Sequence, residues 1–245
     1  MMAGAMFFMV KIEGRGGHGS RPDQSINPID AFTAIYRGMN ALRLTRVDPY
    51  KTLTYSVGAV NGGAVANVIP QTVTFAGTMR TFDRDGRGMV FHDEFKKIVD
   101  NTCRAYNCTP TYNRYTKPNL PVVNYPVMAK FARDVIGKEI GRENVCQYEP
   151  WMASESFGQY ISMWPGVFAF LGMKNPEKGI GAAHHNQNFD IDEDVLFKGR
   201  AASATYAIEF LKQGPDTKGM ARYNSFKDLL KFLERENEIP ELYGE

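Results

Sequence analysis

Three stretches of this 245-residue chain set reactive side-chain types among glycines or just ahead of a helical pattern. The first is Gly16-Gly17-His18-Gly19-Ser20-Arg21-Pro22. A histidine flanked by glycines at a strand end keeps its imidazole clear of neighbouring bulk, and such a ring can donate a hydrogen bond to a developing oxyanion. A turn histidine bonding only its own loop has the same pattern, so both readings stand. The second runs from Gly62 to Pro70 and contains Asn67; Gly77-Thr78-Met79-Arg80 follows it. An Asn amide beside the planar Arg fork would clamp a carboxylate. Equally, Asn67 is a turn residue and Arg80 a solvated charge on a strand edge. The third is Ala182-Ala183-His184-His185-Asn186-Gln187-Asn188-Phe189-Asp190-Ile191-Asp192. Histidines in a polar loop have the chemistry of metal ligands, and adjacent ones point apart, so at most one serves a given ion. The alternative is a capping loop with Asp192 as helix N-cap. Glu155 backs up a ligand or sits in a first helical turn, where the dipole favours it. His92 lies inside a helical pattern and is given a structural role only.

The elements that must hold these residues follow from periodicity. Residues 5–13 read as a strand ending at the glycines of the first cluster. Asn27-Pro28 opens a helix, with Asn27 as N-cap and Pro28 at the first helical position. Its expected apolar stripe is Ile29, Phe32, Ile35, Tyr36, Met39 and Leu42. Strands are expected at 52–60 and 71–82, a helix at 86–106 carrying Met89, Val90, Ile98, Val99 and Cys103, and a strand at 108–116. The order β-α-β-β-α-β gives a four-stranded antiparallel sheet with two helices on one face. Prolines 118, 121 and 126 mark a boundary. Beyond it come a helix at 124–141, a strand near 144–148, a helix from 154, a buried strand at 166–172 and a helix at 192–212. This α/β alternation has too few strands to close its own sheet. Residues 214–245 are a polar linker and one amphipathic helix (223–237) with Phe226, Leu229, Leu230 and Leu233 on a stripe. The expected domains are therefore 1–118, 119–213 and the tail 214–245.

Composition narrows the class. Lys plus Arg number 29 against 27 Asp plus Glu, which gives no electrostatic case for nucleic acid or an anionic membrane as partner. Cys103, Cys108 and Cys146 show no CxxC spacing, as in a reduced intracellular chain. The apolar first ten residues follow no basic region, and no run reaches the roughly 18 apolar residues of a membrane span, so a soluble cytoplasmic protein is expected.

Together the landmarks are specific. Gly-Gly-His-Gly-Ser-x-Pro, Asn-Val-Ile-Pro, Gly-Thr-x-Arg, Ser-Glu-x-Phe and His-Asn-x-x-Phe-Asp-x-Asp-Glu follow in that order. From about residue 3 to 213 the chain resembles the zinc-peptidase family of aminoacylases, hippurate hydrolases, indole-acetyl-amino-acid hydrolases and related carboxypeptidases. The resemblance implies an α+β lid over residues 1–118, which also makes a homodimer, followed by the later part of an α/β catalytic domain. It implies that His18 reaches across the dimer to an oxyanion, that Asn67 and Arg80 hold a substrate carboxylate, and that His185 is a metal ligand. The implied reaction is hydrolysis of an N-acyl-amino-acid or peptide-like amide beside a free carboxylate, by water activated on a divalent metal such as zinc or manganese. Full-length relatives carry a preceding segment with the other metal ligands and the general base. This chain begins where that segment should end, so the truncated chain alone is expected to hold no metal stably and to be inactive. The alternative is a non-catalytic dimerisation or carboxylate-binding module that pairs with itself or with a full-length homologue. Four positions depart from the usual pattern: Asp23, Asn27, Ser156 and Gln187.

Overall fold

The computed structural model describes residues 1–83 and 89–233. Its contacts divide the chain into two units, one of Met1–Val123, Pro150–Met163 and Tyr223–Glu245, the other of Asn124–Glu149 and Trp164–Arg222.

The first unit is built on strands β1 (Gly4–Glu13), β3 (Leu53–Asn61), β5 (Thr72–Thr81) and β6 (Thr109–Tyr115), with β2 (Gly17–His18) and β4 (Val68–Ile69) as a separate two-stranded ladder. The large sheet has the order β3-β5-β1-β6, all neighbours antiparallel. With helices α1 (Pro28–Thr45) and α2 (Met89–Ala105) it forms the expected four-stranded, two-helix unit. In β1, alternation puts Met6, Phe8, Val10 and Ile12 in the core and leaves Phe7 and Met9 exposed. β5 contributes Val73, Phe75 and Met79 to the same interior. Each large apolar side chain withdrawn from water here stabilises by about 1.5–3 kcal/mol. Gly77 breaks the alternation for a reason: a Cβ there would collide with the Ser56 carbonyl and the Phe8 ring.

Asn27 caps α1, its Oδ1 accepting from Ile29 N at 3.1 Å, and Pro28 follows at the first position. The buried face of α1 is Pro28, Ala31, Ile35, Met39 and Leu42. Ile29 and Tyr36, expected on the stripe, lie on the outer flank at 40% and 43% exposure. The inner face of α2 is Phe91, Phe95, Val99 and Cys103, a four-residue spacing, while Val90 is exposed. The expected start of this helix at 86 falls outside the described residues, as does the side chain of Met89. Asn107, at φ 56°, closes α2, and the Cys108 amide donates to the Cys103 carbonyl at 2.8 Å. Two further short helices belong to this unit, α4 (Phe157–Met163) and α6 (Phe226–Phe232). Leu229 and Leu233 bury against Leu120. Residues 234–237 of the expected tail helix lie outside the described region.

The second unit pairs α3 (Pro126–Ile140) with α5 (Leu196–Gln213) through Phe131, Tyr206 and Phe210. Among its described residues there is no named strand. The expected strand at 144–148 is extended chain after a 3₁₀ turn, Arg142–Asn144. The expected buried strand at 166–172 is also irregular, with Phe170 and Leu171 exposed. An apolar run becomes a strand only where a neighbouring backbone supplies the ladder. Here Asn124 takes that place by itself: its Oδ1 accepts from Phe168 N and its Nδ2 donates to Phe168 O, both at 2.8 Å.

Candidate functional site

β1 ends at Glu13, and the chain turns through Gly14 to Gly16 into the β2–β4 ladder. Gln71 fastens this turn, its Nε2 donating to Gly14 O at 2.6 Å and its Oε1 accepting from Gly16 N at 3.0 Å. In the ladder, Gly17 pairs with Ile69 and His18 with Val68. The Gly19 amide then donates to the Asn67 carbonyl at 2.8 Å, a close approach that leaves a side-chain Cβ at Gly19 only 3.0 Å from that oxygen. His18 and Asn67, 49 positions apart by number, are thus brought side by side on exposed backbone.

The imidazole of His18 is oriented by its own loop. Its Nδ1 accepts from the Ser20 amide at 3.1 Å and lies 2.8 Å from the Ser20 hydroxyl. A backbone N–H can only donate, so Nδ1 carries the lone pair and the neutral ring holds its proton on Nε2. That Nε2–H is the donor an oxyanion requires. Arg21 and Asp23 brace the next residues through two hydrogen bonds, 3.0 and 2.8 Å, and the guanidinium holds the Asp23 carboxyl below its usual range.

Arg80 lies apart from this ladder, on β5 of the large sheet. It pairs with Ala5 and Thr54, eight residues along β5 from Thr72. At about 3.3 Å per residue, that is roughly 26 Å from the end of the strand nearest Asn67. Within one copy, therefore, Asn67 and Arg80 do not meet. The guanidinium donates to the Met152 carbonyl at 3.4 Å and stands 6.0 Å from the centroid of Phe7. An open cavity of about 480 Å³ on the loop after β3 is lined by residues such as Asn61, Val65, Gln71 and Thr74, and by none of the candidate site residues.

His185 belongs to the second unit, exposed and in left-handed backbone at φ 62°. His184 packs edge-on against Phe189 at 5.1 Å. The loop is anchored by Asp192, whose Oδ1 accepts from Lys178 Nζ at 2.6 Å and Oδ2 from Asn175 Nδ2 at 2.7 Å. The same carboxylate caps the turn Glu193–Val195 that leads into α5, and these partners, Lys178 foremost, hold its pKa down. Among the described residues no group of three or more His, Cys, Asp or Glu side chains converges as a metal site would require. The described residues therefore do not by themselves fit a metal centre. Glu155 accepts from the Phe157 amide at 2.7 Å, a helix-start role. His92 is buried, bonded to Asp93 at 2.9 Å and stacked on Tyr115.

Asn119 was not singled out by the sequence. Its Oδ1 accepts from Ala5 N and from Ser154 Oγ, and its Nδ2 donates to the Glu155 carbonyl. One amide thus joins the start of β1 to the Ser154-Glu155 segment. Asn119 sits in no periodic pattern, and Gln71 only opens the expected strand 71–82; nothing but adjacency to the motifs could have pointed to either role.

Residues 2–107 match the peptidase dimerisation domain. The chain is 32% identical over 214 residues to the IAA-amino acid hydrolase ILR1-like 4 of Arabidopsis thaliana, covering 86% of this chain and 48% of that protein. It is 30% identical to the N-acetyl-L-cysteine deacetylase of Bacillus subtilis, covering 81% and 45%. In fold it is similar to the Bacillus subtilis YXEP protein, a dinuclear metal-binding peptidase of the M20 family, with a TM-score of 0.61 at 20% identity over 86% of this chain and 51% of that one. The first unit's four-stranded sheet and two helices are consistent with the fold of a peptidase dimerisation domain, the match covering β1 to β5 and both helices. The chain is a homologue of the M20 amidohydrolases, and it spans about half the length of the curated relatives it matches. No helix among the described residues is long and apolar enough to cross a membrane.

Proposed function

We propose that this chain supplies the dimerising and substrate-holding parts of a metal-dependent amidohydrolase that cleaves N-acyl-amino-acid or peptide-like amides beside a free carboxylate. The observation that carries this reading is the His18 ring, with Nδ1 engaged by Ser20 and Nε2–H left as an outward donor next to Asn67. As the amide carbonyl becomes tetrahedral, Nε2–H donates to its oxygen, a stabilisation that grows with the charge. Asn67 and Arg80 hold the substrate carboxylate and so fix the carbonyl against that donor. Because Arg80 stands on β5 of the large sheet, far along the strand from the β2–β4 ladder beside Asn67, the clamp is assembled from two copies, His18 and Asn67 from one and Arg80 from its partner. The metal of the parent family would be a divalent ion, zinc or manganese, not held stably by this chain alone, with His185 offering one ligand. Residues 119–213 are the later part of the catalytic domain, whose exposed apolar side chains are covered by strands outside these residues. The substrates are small and carboxylate-bearing, the assembly is a homodimer through residues 1–118, and the compartment is the cytoplasm.

On this reading the 245-residue chain alone holds near zero tightly bound divalent metal after dialysis without chelator, and does not hydrolyse N-acetyl amino acids. One or two ions per chain, with turnover lost to chelator and restored by metal, would overturn that part. The oxyanion role has its own test. A full-length relative whose own dimerisation-domain histidine is replaced should regain turnover in mixed dimers with this chain, and not with its His18→Ala variant. Recovery with both variants would remove His18 from the reaction.

A second reading is a non-catalytic dimerisation or carboxylate-binding module, favoured by the closed core of the first unit. It predicts mixed dimers that form on a sizing column yet gain no activity.

A further inference from the structure

Strand β1 presents Phe7 on the face of the sheet opposite α1 and α2, 38% exposed, with the nearly buried Ala5 beside it on the same face. The two neighbouring strands each send a guanidinium toward this ring. Arg114, opposite Met9 on β6, brings its Cζ to 4.3 Å from the centroid; Arg80, opposite Ala5 on β5, brings its Cζ to 6.0 Å. Both contacts lie in cation–π range. Neither arginine has a carboxylate partner among the described ion pairs, and Arg80 makes one 3.4 Å bond to a carbonyl. A guanidinium offers five N–H donors, so most of this donor capacity is unspent. Two like charges drawn to one ring repel each other, and an anion bridging them relieves the repulsion while taking charge-assisted, bidentate bonds.

We propose that Arg114 is a second anion anchor, and that this site takes a molecule with two carboxylates, an N-acyl derivative of aspartate or glutamate. The α-carboxylate lies on Arg80, the side-chain carboxylate on Arg114, and the methylenes between them on the Phe7 ring. This rests on the reading of Arg80 as a carboxylate holder. The scale of the patch fits one small molecule: a single exposed ring, two forks, and Ala5 closing one side.

The test is binding of N-acetyl-L-glutamate and its isostere N-acetyl-L-glutamine to the full chain, followed by NMR titration. One added exposed charge pair should tighten the glutamate about three- to fivefold over the glutamine. Arg114→Gln should level the two ligands without weakening the glutamine, and Arg80→Gln should weaken both. If both ligands bind the unaltered chain equally, or if Arg114→Gln leaves the preference intact, Arg114 merely packs on Phe7 and the inference fails while the clamp stands. Binding of both ligands unaffected by Arg80→Gln would sink the clamp itself and this inference with it. No binding of either ligand would do the same.

Discussion

The two units bury their apolar residues very differently. In the first, Phe8, Phe75, Phe91 and Phe95 are all within 1% of full burial, stacked between one sheet and two helices. In the second, α5 has no buried residue, and Phe197, Ile208 and Leu211 stand 59%, 50% and 85% exposed. The first unit closes its own core. The second buries Met128, Ala132 and Val135 of α3 but leaves apolar side chains of α5 in solvent. A sheet with helices on one side is a complete two-layer arrangement, whereas two helices and extended chain leave faces uncovered.

The strongest way to break this comparison is truncation within each unit. Phe95→Ala should cost about 3–5 kcal/mol of stability in denaturant unfolding, because a large ring leaves a closed core. Phe197→Ala in the second unit should cost no more than about 0.5 kcal/mol, since the ring is already in water. A comparable loss at Phe197 would show that α5 is covered. Next in size is the tail. Leu229 and Leu233 cover Leu120, so deleting residues 214–245 should expose that cluster and increase aggregation measured by light scattering. Unchanged solubility and melting would separate α6 from the stability of the first unit.

The pH dependence sharpens the contrast. Asp192 has a lowered pKa in the folded chain, because Lys178 and Asn175 bond its carboxylate. Its contribution is therefore fully present above the usual carboxylate range and fades as pH falls through the lowered value. Lys178→Met should make the His184-His185 loop loosen at a higher pH, read from the loop amides in an NMR acid titration. The same midpoint in both proteins would refute the assignment. The smallest effect is chemical. Burial pushes the Cys103 thiol up to about 12 and raises that of Cys108, whereas Cys146 is exposed. A native thiol assay should titrate one cysteine quickly and all three only after unfolding. Three fast thiols would mean that the end of α2 opens readily.

Much of the first unit was readable because its pattern is local and repeated. The alternation of β1 and β5 and the Asn27-Pro28 start of α1 each follow from a handful of adjacent residues. The stripe expected for α1 is right at Ile35, Met39 and Leu42, with Phe32 packed on the core, but too wide, because Ile29 and Tyr36 are apolar yet flank that face. Strand 166–172 was misread for a deeper reason: apolar content says what could be buried, and only another backbone decides whether it forms a ladder. The β2–β4 ladder is two residues long, below any periodicity. Single amides at Gln71, Asn119 and Asn124 hold segments through side-chain geometry that no spacing announces. At the candidate site, the pairing of His18 with the Asn67 loop emerges only from that ladder. The separation of Arg80 from both emerges only from the register of β5.

The mounting of His18 has a dynamic consequence. β1 and β5 share a ten-residue register, whereas β2 and β4 share two. Amide exchange at Gly17, His18 and Val68 should therefore proceed through a local opening of low free energy, while β1 exchanges only on global unfolding. The imidazole is carried on the part of the domain that loosens first, so its reach can adjust to a bound molecule while the Phe-rich core keeps its shape.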